Sequence, residues 1–322
     1  MIAELRRMAV FDWLVITFTW TTIWAIDYFL RLPEYAFWLM QIFAVLVIAG
    51  RFHALGVILH DAAHSSLKSK NAGLTFHALC AYPIATTLEA MRYHHLRHHQ
   101  LYGTDLDPYL KRDLADLDPR LSLFRAVIVT FLKASALVPV WIVRPLVGVL
   151  AIRFLTIKAF YRKALLQDRE QNSYESEEFR ECLTAEIGQL IFWLLLVSFC
   201  VFLTKVMKIN GTTIFLFYFL PLWVAGFVNV WRVLFEHDHS YRRGNIVGQD
   251  PVGVWRTTKL ITVPGFDWFF APRNIGYHQA HHLFPAVRLK HLPELHRRLF
   301  ADLNHNIVSD SVTGIPVAKG LN

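Results

Sequence analysis

The chain has 322 residues, of which 54% are hydrophobic, 14% aromatic and only 18% charged, against about 25% charged in an ordinary soluble domain. That composition excludes a soluble globular protein and points to an integral membrane protein. The net charge of +8 comes with no aromatic-basic motif, so nucleic acid is not among the expected partners.

In chain order, the apolar stretches Phe11–Leu30, Ala36–Gly50, Ile187–Thr204 and Thr212–Trp231 mostly approach the ~20 residues needed to cross a bilayer. The second continues as one helix through Leu59. No small-residue cleavage site follows the first, so it is expected to be retained rather than removed as a signal peptide. Two further stretches are apolar but broken. Leu74–Leu88 contains His77 and Pro83, and Leu121–Phe154 carries Arg125, Lys133, Arg144 and Arg153 with Pro139 and Pro145 interrupting its helix. Charge at mid-bilayer is costly; both are read as interfacial, with basic side chains snorkelling to the headgroups. Arg162–Arg180 is read as a polar connector, and residues 302–322 as a loosely ordered tail. The fold class expected is all-α: about four transmembrane helices, interfacial helices and a histidine-rich cytoplasmic cap in one unit, 1–322. Cys80, Cys182 and Cys200 form no CxxC pair, so neither a disulfide framework nor a thiolate metal site is suggested.

Three histidine clusters punctuate this frame: His60 and His64; His95, His98 and His99; His278, His281 and His282. Together they use eight of the 16 histidines. Residues three and four apart share one face of a helix, with Cβ atoms ~5–6 Å apart, so each cluster aims two or three ring nitrogens at one point. Imidazole is the commonest metal ligand. Eight imidazoles exceed what one ion uses, which favours two ions. A shared site requires all three clusters on one face of the membrane, and four spans satisfy that parity. Arg6, Arg7, Lys68, Lys70, Arg92, Arg97, Lys111 and Arg112 flank that face, which the positive-inside tendency makes cytoplasmic.

With HxxxH, HxxHH and HxxHH boxes in hand, the chain resembles the membrane fatty acid desaturase and hydroxylase superfamily. The likeness extends over Arg51–His64, Asp105–Pro108, Arg232–His237, Arg256 to Thr258 and Arg273–Pro285, and is most specific around the third box. The resemblance implies two iron ions held mainly by histidines, activation of O2, and removal of hydrogen from an unactivated C–H bond of a lipid chain. It adds His237 as a ninth ligand, with His239 the alternative. The acyl-CoA branch has an asparagine one turn before that histidine; Val233 stands there, and Asn229 lies two turns back.

Asp61, Asp105, Asp107, Glu236 and Asp267 are candidates to hold the far nitrogens of the ligands. Asp61 and Glu236 rank low, because sequence neighbours on a helix point away from one another. His94 is expected to point elsewhere, while His53, His77, His291, His296 and His305 read as surface or core residues. Arg51 reads as an anchor at the membrane edge ahead of a group behind the ligands, and Asn274 and Tyr277 as lining the site or, almost equally, as capping and packing residues. The expected activity is desaturation of a fatty acyl chain; a carotenoid ketolase or hydroxylase, or a lipid hydroxylase, is the runner-up. A membrane haem or metal-transport protein is the non-enzymatic alternative. No haem-domain or flavin motif is present, so electrons are expected from a separate donor, ferredoxin or a small cytochrome b with its reductase. With no obvious retention signal, the compact length favours a bacterial inner membrane.

Overall fold

The computed structural model describes residues 1–65, 69–104, 106–108, 123–166, 177–237 and 251–301. Among them every regular element is helical. Helix α1 (Ile2–Leu30) ends at Arg31 in the left-handed conformation, and Pro33 starts α2 (Glu34–Ala63). At 1.5 Å per residue the 30 residues of α2 extend about 45 Å, well beyond the ~30 Å hydrocarbon layer. Its last turn therefore carries His60 out of the apolar zone, with His64 as the cap.

Next come α3 (Ser69–Phe76), which kinks at Gly73, a π turn at His77–Ala81 and a 3-10 turn at Tyr82–Ile84. These pieces are short and bent, as expected of a segment that does not cross. Helix α1 holds them through Arg6 Nη2 donating to the Ala72 carbonyl (2.7 Å) and Trp13 Nε1 to that of Leu79 (2.9 Å). Thr87 caps α4 (Leu88–Leu101) by accepting from the Ala90 N–H, which sets the phase that turns the second box inward.

Helix α5 (Leu123–Ala151) runs unbroken, which corrects the expected interruption at Pro139 and Pro145. A proline removes one N–H donor but leaves the remaining ladder intact, and neighbouring helices support the gap. Arg144 does not snorkel either: it is buried, its Nε 3.0 Å from Glu186 Oε1. Arg153 is exposed. Short α6 (Leu155–Phe160) and a π turn, Tyr161–Leu165, follow. The expected polar connector is thus helical at both ends, since α7 (Glu177–Lys205) takes up its last residues.

Helices α8 (Gly211–Ile214) and α9 (Leu220–Glu236) are joined by a π turn, Phe215–Phe219. They make the fourth stretch long and apolar enough to cross, after α1, α2 and α7. The cap contains α10 (Pro251–Thr257), α11 (Asp267–Phe270) and α12 (His278–Leu283). Helix α2 is the hub, packed on α1, α4, α9 and α11, while α5 lies against α7 and α9. Phe52, Leu55, Ile58, Leu59, Phe76 and Leu88 form the centre of the core.

Candidate metal centre

The four elements that carry the boxes and His237 converge at the C-terminal end of α2. His60, His64, His95 and His281 bring one ring nitrogen each within 4.8 Å of one another; His98, His237, His278 and His282 do the same beside them. Within the first group His95 Nε2 stands 2.8 Å from His64 Nε2. In the second, His282 Nε2 stands 3.2 Å from both His98 and His237, and His278 3.1 Å from His237. Nitrogens about 2.1 Å from one ion and at right angles would be about 3.0 Å apart, so these spacings suit the edges of a coordination polyhedron. His99 belongs to neither group of four but touches the first, its Nε2 3.0 Å from that of His95 and 3.1 Å from that of His281, and its ring centroid lies 4.4 Å from that of His282. All nine expected ligands are therefore together, in an all-nitrogen donor set suited to two transition-metal ions.

Burial favours the neutral form that ligation needs at six of these imidazoles. His95, His99, His278, His281 and His282 are held well below the usual histidine range by loss of water, with neighbouring imidazoles adding repulsion. His64 is lowered to about 4 by burial and then by His98. A histidine whose folded pKa is depressed stabilises the fold fully above its unfolded value, near 6.5, and loses that contribution as pH falls toward the folded value. The metal-free protein is therefore expected to lose thermal stability progressively from about pH 6.5 downward. An unfolding midpoint that stays flat between neutral pH and about pH 4 would contradict this.

The partners of the far nitrogens are only partly those expected. Asp107, fully buried, places Oδ1 2.9 Å from His98 Nδ1, which leaves Nε2 of His98 for the second group. Removing such a partner lowers metal affinity about 10–100-fold, and Asp107→Ala is expected to do so in a chelator competition; wild-type affinity in that variant would refute the role. Asp61 instead pairs with Arg288 at 3.0 Å, and Asp267 accepts from the Val263 N–H at 2.6 Å. Asp105 and His239, with His305, lie outside the described residues.

Glu236 is a correction. It is buried, paired with Arg232, and its Oε1 lies 3.6 Å from His278 Nδ1. Burial pushes its carboxyl above the usual range, against the pull of Arg232. The helical argument fails because α9 ends there: His237 is extended (φ −117°, ψ 134°), fixed by an antiparallel bridge to Thr258 and by the Lys259 N–H on the Glu236 carbonyl (2.8 Å). Glu236 closes the helix and His237 follows it outside, and the two reach the same histidine group, His237 as a member and Glu236 through His278. Thr257 supports this turn by accepting from the Tyr102 hydroxyl at 3.0 Å.

Asn229 accepts from Arg232 Nη2 at 3.1 Å and joins neither group. Arg51 donates to the Trp268 carbonyl (2.6 Å) and faces Asp12 (3.3 Å). Of the other histidines, His53 bonds the Phe269 carbonyl (2.9 Å), His77 lies 3.7 Å from Glu89, and His296 stacks on Trp255. His94 lines a cavity and His291 is exposed. Asn274 donates to the Leu289 carbonyl, and Tyr277 precedes α12 without a side-chain cap.

A cavity of about 230 Å³ opens onto the centre. His60, His95 and His278 form its metal-side wall; Phe52, Trp141 and Leu222 face it from the helical bundle, and Thr86, Arg144 and Asn229 interrupt the apolar lining.

An all-helical bundle with four membrane-crossing candidates and two adjoining histidine groups defines an integral membrane protein with a metal-binding site. Residues 36–312 match the fatty acid desaturase family, and the chain belongs to that family. No curated protein matches it. Membership makes it an oxidoreductase acting on lipid with O2.

Proposed function

We propose that the protein is a diiron oxidoreductase that uses O2 and external electrons to desaturate a fatty acyl chain. His60, His64, His95 and His281 hold one iron, His98, His237, His278 and His282 the other, and His99 completes the set. Bound iron supplies the one-electron chemistry with dioxygen that no side chain offers. The protein positions the ligands and shields the reacting carbon from water. The observation that carries the reading is the cavity, which joins an aromatic and aliphatic wall inside the bundle to members of both histidine groups. An extended alkyl chain suits such a wall. A haem or transport role fits less well, because the histidines gather at the ends of the spans rather than within them.

The whole chain acts as one unit, in a bacterial inner membrane with the centre on the cytoplasmic face. Its electrons come from ferredoxin or a small cytochrome b with its reductase. Lipid analysis of an expressing host tests the activity. New double bonds in acyl chains are the expected result; hydroxylated acyl chains, oxygenated carotenoids, or no change relative to an empty host would overturn it.

A further inference from the structure

A second cavity, of about 390 Å³, adjoins the first. Trp141 and Leu222 line both. Apart from Ser135 its wall is apolar and largely aromatic, including Phe131, Trp193, Phe215 and Trp223, and it touches no histidine. It thus continues away from the metal centre along the early turns of α9. The partition is tight. A Cβ at Gly226 would stand 2.2 Å from Trp141 Cη2, so the tip of the indole rests directly on the α9 backbone. Leu222, one turn earlier on the same face, is buried beside it. The larger space is therefore separated from the reactive end by one ring on α5 and one side chain on α9.

Resting on the acyl-chain reading above, we propose that Trp141 is a specificity-determining residue: it sets the length of alkyl chain accepted beyond the oxidised carbon, and the second cavity is the room a longer chain enters when the indole is removed. An apolar pocket discriminates one methylene by roughly 10–200-fold, so a wall of this size has a large effect on selectivity. Neither Trp141 nor Leu222 belongs to the histidine groups, so metal binding does not depend on them.

The test uses the full chain in lipid, with Trp141→Ala and the gentler Trp141→Leu, which guards against misfolding. A graded series of saturated fatty acids and their coenzyme A thioesters is offered, and both the oxidised products and the binding of each probe are measured. The expected result is unchanged metal content with a preference for longer chains raised by roughly tenfold or more. Adding Ser135→Phe to Trp141→Ala refills the second cavity and returns the selectivity toward wild type, whereas Ser135→Phe alone leaves it unchanged. Chain-length binding that is the same in wild type and both Trp141 variants would overturn the proposal. So would a shift caused by Ser135→Phe with Trp141 intact, since the chain would then already lie beyond the ring. A wild-type protein that binds these probes yet oxidises none overturns the activity instead, which separates the two readings.

Discussion

His281→Ala is expected to abolish oxidation and to empty one metal position, lowering bound metal by about half. His281 is buried in the first group, and its Nε2 is also 3.1 Å from His99. Alanine leaves that position with three imidazoles and a void among buried nitrogens. His98→Ala is expected to do the same to the second group, and it also removes the Nδ1 contact with Asp107. His291→Ala is the control, since that side chain is exposed and outside both groups; metal content and activity stay at wild-type values. Elemental analysis alongside product assay checks all three. Full metal in the His281 or His98 variant would remove those residues from the ligand set. The pairing matters as much as the loss: if one variant emptied both positions equally, the division into two groups of four would fail.

The boxes were legible because helical spacing carries its own geometry. His60 with His64, or His278 with His281 and His282, share a face whatever surrounds them. The four spans were legible for a similar reason, a continuous apolar run having few alternatives in a bilayer. Elements fixed by tertiary contact were not. A continuing α9 would turn Glu236 away from the centre, whereas the helix ends at Glu236, where Thr258, 21 positions after His237, bridges to it. The proline-bearing α5 was read as broken and interfacial. It is unbroken, packed against α7 and α9, and α7 supplies Glu186 to neutralise Arg144. The likeness at Arg232–His237 and at Arg256 to Thr258 has a structural reason in the bridge between His237 and Thr258, which presents His237 to the centre.

Asp12 shows the same limit and yields the other large effect. A carboxylate in the first span has no local partner, and the sequence offers no sign of what meets it. In the fold it is completely buried, 2.5 Å from Arg273 Nη2 and 3.3 Å from Arg51 Nη1. Arg273 also donates to the Met8 carbonyl. This clamp ties α1 to the segment just before the third box, where Arg273 and Asn274 take the left-handed conformation (φ 58° and 67°). Such backbone costs about 1–3 kcal/mol per residue and persists only where the surroundings impose it. Gly276 is held equally closely, for a Cβ there would stand 1.9 Å from the Ile261 carbonyl oxygen. Asp12→Ala therefore leaves two arginines without their carboxylate and frees the strained turn. Breaking a buried ion pair costs about 3–5 kcal/mol, and the arginines, 14% and 19% exposed, place the expected loss near the lower end. Because His278 follows Arg273 by five positions, the loss of stability should come with loss of metal. Thermal unfolding in detergent and metal content measure both. Adding Arg273→Leu to Asp12→Ala removes one uncompensated charge and is expected to recover part of the stability but not the metal, since the turn remains untethered. An Asp12→Ala protein that melts with the wild type and carries its full metal would show that the first span does not hold the third box in place.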